Sequence, residues 1–348
     1  MDRVDFVYGN ENRFYDFISR LDDKGKIALV SHTDLYGISS ARVVNEVVNA
    51  DILKFVNYDD LNLGLVKELR ESKAKRIIFT DLMIRDSEFV SGLEKFADVL
   101  VIDNHTPERD YNSDRTVFMN SQGNCGAYLS YHLFSKVQNL EKLDWLVACA
   151  CLADFFYFEN KEFMRKTYEK YGDKFVFDGD FVNMQGKFWD FQYDLSLGII
   201  YYFGKTEEFY KRLPREFGKL GELEKAVAEV RNDLENAKNK FDEEKEVIGD
   251  IYFWEAKSRY GVKSLIINDL SKKILDKTLV FAKHEGDFYF VSARRQDGKR
   301  DMNQLMQDLT RGLENANGGG HFKAGGATIM FKDKEEFMRR LREVANLT

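Results

Sequence analysis

The chain is 348 residues long, with 52 lysines and arginines against 59 aspartates and glutamates, a net charge of −7 and a pI near 5.5. That length is too great for one compact core and predicts two domains. The acidic balance argues against nucleic-acid binding through bulk positive charge and leaves a local basic groove as the route to such a ligand.

Read in chain order, Lys26–Ser31 (KIALVS) has the composition of a strand and runs into His32-Thr33-Asp34. Ile52–Asn57 is a second strand candidate, Arg76–Thr80 (RIIFT) runs into Asp81, Asp98–Ile102 (DVLVI) runs into Asp103-Asn104-His105, and Thr116–Met119 is a fifth. Helical spacing lies between them at Ile38–Val48, Leu61–Glu71 and Ser87–Phe96. This alternation predicts an α/β domain with a parallel sheet and helices on both faces, where ligands sit beyond the carboxyl ends of the strands. Three polar clusters fall at just those ends.

Cys125–Val137 and Leu143–Phe155 read as helices, and Phe156–Phe217 is aromatic-rich without a clear period. Leu220, Leu223, Val227, Val230, Leu234, Ala237 and Phe241 then keep 3–4 spacing, which predicts a long amphipathic helix. Docking of that helix on its own chain is the favoured reading; an intermolecular coiled coil, a partner protein or self-association, is the other. Beyond it Ile251–Ala256, Ser264–Ile267, Thr278–Ala282 and Phe288–Ser292 read as strands, Met302–Leu313 and Lys334–Ala345 as helices, and Gly318-Gly319-Gly320-His321 as a turn. The expected division is a domain over 1–160, a helical middle with a long linker helix over 161–250, and a smaller α/β domain over 251–348. No apolar run approaches the ~20 residues that cross a bilayer. Met1–Gly9 carries acids and no apolar leader, and Cys125, Cys149 and Cys151 are too sparse for a disulfide framework. A cytoplasmic protein with buried thiols is expected.

His32 and Asp34 on one turn could clip a divalent metal, although a His-x-Asp pair often only caps a helix. Asp81 could equally be a cap and His105 a turn residue. Asp154 lies among Ala148, Leu152 and Phe155, where a carboxylate is costly unless paired or bound to a cation. Singly each has a plainer role; together they converge on one sheet edge. Three consecutive glycines before His321, with Lys323 nearby, leave backbone amides open to an anion, and Arg294 and Arg295 at a strand end offer guanidinium groups for phosphate.

In order and spacing, SHTDLYGISSA, FTDLMIRD, VIDNHTP and ACLADFF resemble the four motifs of the DHH phosphoesterase superfamily, which includes RecJ exonucleases, nanoRNases and cyclic-dinucleotide phosphodiesterases. GGGHFKAGGA, with Ser292-x-Arg294, resembles the DHH-associated C-terminal domain. The inserted middle and long helix look more like archaeal RecJ-like nucleases than compact nanoRNases. The resemblance implies that His32 and Asp34 ligate one Mn²⁺ or Mg²⁺ ion, that Asp81 bridges to a second, that Asp154 holds the second, and that His105 serves as general acid. It implies that Arg294, Gly318, Gly319, Gly320 and His321 grip a substrate phosphate. Two positions depart from the pattern: Tyr36 stands where the first motif carries another Asp, and Asn104 where the third carries His. Both serve the second metal, so that half is expected to be weak or absent.

Two functions follow as expectations. One is a metal-dependent exonuclease acting on single-stranded DNA, RNA or short oligonucleotides. The other is a catalytically weakened nucleic-acid-binding scaffold, like the inactive RecJ relatives of replicative helicase assemblies.

Overall fold

The computed structural model describes residues 3–21, 25–178, 181–182 and 185–346. The chain forms two compact units, Met1–Val227 and Ala228–Thr348.

The first unit opens with α1 (Glu11–Ser19), capped by Asn10, and continues through β1 (Lys26–His32), α2 (Leu35–Val48), β2 (Ile52–Val56), α3 (Leu63–Glu71), β3 (Ala74–Thr80), α4 (Ser87–Glu94), β4 (Asp98–Asp103) and β5 (Thr116–Asn120). The strands form one sheet in the order β2-β1-β3-β4-β5, and every pairing is parallel. Central strands of such a sheet are covered on both faces, and their sequences are accordingly near-continuous apolar runs rather than alternating ones. One face packs Val30, Ile77, Phe79, Val99 and Val101 against Leu65 and Leu69 of α3 and Phe89 and Leu93 of α4. On the other side α2 packs against β1 and against α5 (Gly126–Phe134) and α6 (Asp144–Ala153). From β1 the chain winds outward to β2 and then crosses back to β3, so the switch in winding direction lies between β1 and β3. A crevice opens at such a point, beyond the carboxyl ends of the strands.

The aromatic-rich stretch resolves into α7 (Lys161–Lys170), the short strands β6 (Phe177–Asp178) and β7 (Phe181–Val182), α8 (Lys187–Tyr201) and α9 (Thr206–Lys211). Its rings are its core: Phe188 stacks on Tyr168 and on Phe217, each at 4.2 Å, and Trp145 of α6 meets Phe191 at 5.6 Å. Aromatic faces, rather than an aliphatic stripe, carry this packing, which is why no simple period is visible.

Helix α10 (Glu224–Glu244) spans the boundary between the units. Leu223, Val227, Val230, Leu234, Ala237 and Phe241 are all buried within the chain, so the stripe offers no exposed face for the intermolecular coiled coil. Phe241 lies against Trp254 and Phe281 at 5.9 and 5.1 Å.

The second unit continues with β8 (Glu246–Ile248), β9 (Ile251–Glu255), α11 (Lys263–Ser271), β10 (Thr278–Glu285), β11 (Phe288–Arg294), α12 (Met302–Thr310), β12 (Asn317–His321), β13 (Ala324–Met330) and α13 (Lys334–Asn346). The sheet order is β12-β13-β11-β10-β9-β8. Two expectations are corrected. Ser264–Ile267 is helical, because β9 and β10 pair in parallel and a parallel pair needs a crossover connection. Gly318–His321 is an edge strand rather than a turn, each residue paired with β13 from Ala327 to Ala324.

Helix α12 lies directly on those glycines. A Cβ at Gly325 would strike the Met302 carbonyl, and one at Gly318 the Met306 carbonyl, whereas one at Gly326 would meet only the Val291 carbonyl at 3.5 Å. Gly325→Ala should therefore destabilise the protein by about 1–3 kcal/mol through overpacking, and Gly326→Ala should leave stability within about 1 kcal/mol of wild type. Urea unfolding of the two variants distinguishes them; equal midpoints would show that helix–strand contact does not fix the glycines.

Candidate metal centre and anion groove

The sequence-predicted residues of the first unit meet at the switch point. His32 ends β1, and Asp34 is the N-cap of α2, where its Oδ1 accepts the Gly37 amide at 2.9 Å while Oδ2 lies 2.6 Å from His32 Nδ1. The pair thus caps a helix and also presents an imidazole oriented by a carboxylate. Asp81 follows β3 with φ +57, a left-handed conformation that is strained for a residue other than glycine. Its amide is held by the Ile102 carbonyl at 2.9 Å. Its side chain is wholly buried, and among the described residues neither carboxylate oxygen has a hydrogen-bond partner.

Helix α5 begins against this carboxylate. A Cβ at Gly126 would come within 2.5 Å of Asp81 Oδ1, so the first residue of the helix must be glycine for the positive end of α5 to approach the charge.

Asp103 and His105 come from the end of β4, and Asp103 is 2% exposed. Sequence reading passed over Asp103 as a site residue, although Asp103-x-His105 mirrors His32-x-Asp34. Its Oδ1 lies 2.7 Å from His105 Nδ1, and the remaining nitrogen, Nε2, is 3.0 Å from the Tyr58 hydroxyl. Tyr58 also escaped sequence reading. It enters because β2 pairs with β1 in a register that sets Val56 beside His32, two residues before the tyrosine.

Asp154 is the C-terminal cap of α6, and Phe155 beyond it is left-handed (φ +59) and 62% exposed. The Asn104 amide donates to Asp154 Oδ2 at 3.4 Å, leaving Asn104 Oδ1 buried without a partner among the described residues.

These side chains act strongly on one another. Burial, then the charges of Asp34, Asp103 and Asp154, push Asp81 well above the usual carboxylate range. Burial, followed by Asp34, raises Asp154 to about 7 against the pull of Cys125, His105 and Asn104. Burial alone would lower His105, but its hydrogen bond to Asp103 and the charges of Asp103, Asp154 and Asp34 outweigh it and raise the imidazole. The Tyr36 phenol is raised by burial and by Asp34, Asp154 and Asp81, and stays protonated in the midst of them.

Such a concentration of carboxylates, with no lysine or arginine bridged to it among the described residues, fits a divalent cation. Ligand atoms of His32, Asp34 and Asp81 lie within 4.8 Å of one another, as do those of Asp81, Asp103 and His105. Oxygen-rich donors with imidazole suit Mn²⁺ or Mg²⁺. Asp154 joins neither group, though its charge acts on Asp81.

In the second unit the glycine strands floor a groove of about 500 Å³ lined by Lys263, Phe290, Asn317, Gly319, Gly320 and Gly326. The Lys263 ammonium donates to the Phe290 carbonyl at 3.0 Å, and burial, then Lys283 and Arg294, push it down to about 8. Arg294 ends β11, donating from Nε to Asn268 Oδ1 at 3.0 Å and from Nη1 to backbone carbonyls, with burial lowering its pKa. The Gly320 amide is committed to Asn303 Oδ1 at 3.0 Å, and His321 at the strand end is exposed. Arg295, by contrast, is neutralised by Asp250 and Asp297 and is structural.

A DHHA1 domain matches residues 251–347. No curated protein matches the chain in sequence. Among solved structures, RecJ from Thermus thermophilus in complex with Mn²⁺ superposes with a TM-score of 0.64 at 14% identity, over 99% of this chain and 56% of that one. The present chain therefore spans little more than half of that RecJ. A pGpG-specific phosphodiesterase, PggH from Vibrio cholerae, matches with a TM-score of 0.51 at 14% identity over 92% of this chain and 99% of that one. CDC45 from Entamoeba histolytica matches with a TM-score of 0.54 at 9% identity over 97% and 98%. Residues 251–347 thus match a DHHA1 domain, and the fold along the chain is similar to that of RecJ.

Proposed function

We propose that the protein is a metal-dependent phosphoesterase, an exonuclease that hydrolyses phosphodiester bonds of single-stranded DNA, RNA or short oligonucleotides. The observation that carries this reading is Asp81: a fully buried carboxylate with neither oxygen hydrogen-bonded among the described residues, held in a strained backbone conformation among three further carboxylates. A group so costly to bury points to a cation that offsets the cost.

His32, Asp34 and Asp81 would hold the ion. When bound, it supplies Lewis acidity that neutralises phosphoryl charge and activates water. Asp34 fixes the orientation of His32, as carboxylates commonly do for ligating imidazoles. His105, kept protonated more readily by Asp103, would deliver a proton from Nε2 to the leaving oxygen. Tyr36 offers little to a second ion, so we assign the ion to His32, Asp34 and Asp81 and the pair Asp103–His105 to proton transfer, with Asp154 as a neighbouring charge. In the second unit Lys263 and Arg294, half-buried and without a carboxylate hydrogen bond among the described residues, would take a substrate phosphate.

The alternative is a scaffold that binds nucleic acid without turnover. Tyr36, Asn104 and the fold likeness to CDC45 favour it.

With Mn²⁺, release of mononucleotides from a labelled oligonucleotide is expected, and Asp81→Asn should lower it on the order of 10²-fold. Arg294→Ala should raise KM with kcat largely kept. Tight oligonucleotide binding with no metal-dependent release would overturn the enzyme in favour of the scaffold.

The raised Asp154 also fixes a pH dependence. In the metal-free protein this carboxyl binds a proton up to about pH 7, whereas in the unfolded chain it releases it near 3.8. Its contribution to stability therefore falls as pH rises through that window and is lowest above it. In EDTA, Asp154→Asn should melt several degrees above wild type at about pH 8 and gain nothing at about pH 4. A gain independent of pH in differential scanning calorimetry would contradict this origin.

A further inference from the structure

We propose that Tyr58 is a positioning residue, a clamp that holds the imidazoles of His32 and His105 in one shared geometry. This inference rests on the phosphoesterase reading for its kinetic consequences, though not for its geometry.

Each of the two histidines already has one nitrogen fixed. His32 Nδ1 lies 2.6 Å from Asp34, and His105 Nδ1 lies 2.7 Å from Asp103. One contact of this kind fixes the tautomer but leaves the ring free to swing about it. Tyr58 supplies the second constraint to both rings. Its ring stacks on His32 with centroids 4.6 Å apart and planes inclined by 22°. Its hydroxyl is 3.0 Å from His105 Nε2, and its ring meets that imidazole edge-on at 5.5 Å. One side chain thereby couples a metal-ligand candidate to the proton-donor candidate through two different forces, a face contact and a hydrogen bond.

Tyr58 is itself well fixed. It opens a short helical turn, Tyr58–Asp60, closed by a reciprocal cap in which the Asn57 amide donates to Asp60 Oδ2 at 2.8 Å. The Thr33 hydroxyl, between His32 and Asp34, donates to Asn57 Oδ1 at 3.0 Å and ties this turn to the end of β1. The Tyr58 ring also packs against the apolar core beneath the sheet. With Nδ1 of His105 donating to Asp103, the phenol donates to Nε2 of the neutral ring; once that ring is protonated, Nε2 donates to the phenol oxygen. In either state the phenol holds the ring orientation, and a leaving oxygen would take the Nε2 proton in place of the phenol oxygen.

The two forces separate by substitution. Tyr58→Phe keeps the ring on His32 and removes the hydroxyl; Tyr58→Leu removes both. The chain has only five histidines, so their ring signals are separable by NMR on the full-length protein. Tyr58→Phe is expected to shift the His105 Nε2 signal and leave His32 unchanged, and Tyr58→Leu to shift both. In Mn²⁺-dependent hydrolysis, Tyr58→Phe should lower kcat about tenfold with KM and Mn²⁺ affinity kept, whereas Tyr58→Leu should also weaken Mn²⁺ binding about tenfold by calorimetry. Unchanged His32 and His105 signals in both variants, or wild-type kcat in both, would overturn the clamp. If wild type shows no hydrolysis while the histidine signals respond as expected, the clamp stands and the nuclease reading falls.

Discussion

The whole centre is organised around an electrostatic debt at Asp81. Its carboxylate sits at the winding switch of the parallel sheet, in a left-handed backbone conformation, with no hydrogen bond to either oxygen among the described residues. Almost everything nearby answers to that charge. The amino end of α5 approaches it through Gly126, and Asp34, Asp103 and Asp154 converge on the same volume rather than avoiding it. In a protein selected only for stability, like charges would be spread apart or paired with arginine. Here the strain, the burial and the repulsion are concentrated in one place, and a divalent cation bound there would relieve the burial cost and the repulsion together.

Much of this was legible from residues alone because parallel α/β folds put chemistry at predictable places. Apolar runs ending in His32, Asp81 and Asp103 announced strand ends, and strand ends share an edge. Tyr58 was invisible for the opposite reason. It follows β2 with no motif of its own, and it acquires meaning only from the β1–β2 register that sets it over His32. Asp103 lay in view but was eclipsed by the histidine beside it. The short helix α11 was missed because Leu265, Ile266 and Ile267 are apolar in any period, and only the parallel pairing of β9 with β10 decides between strand and crossover.

The C-terminal unit separates two roles that look identical in sequence. Gly318 and Gly325 are glycine because α12 leaves no room for a Cβ, while Gly319 and Gly326 line an open groove beside Lys263. Helix packing and the open groove are thus served by alternate residues of the same strands. The overall charge of −7 and the local cluster of Lys263, Lys283 and Arg294 are compatible for the same reason: bulk composition averages over a surface, and a groove does not.

That alternation has a consequence for strand pairing. In most strands a slip by one residue is prevented because it would turn apolar side chains outward and polar ones inward. A strand made of consecutive glycines has no such penalty; shifted by one, Gly319 would fit under α12 as readily as Gly318. The pairing of β12 with β13 must be pinned from outside, and the Asn303 side chain, which accepts the Gly320 amide from the first turn of α12, is placed to do so. One side chain on the helix above then decides which glycines face the groove and which face α12.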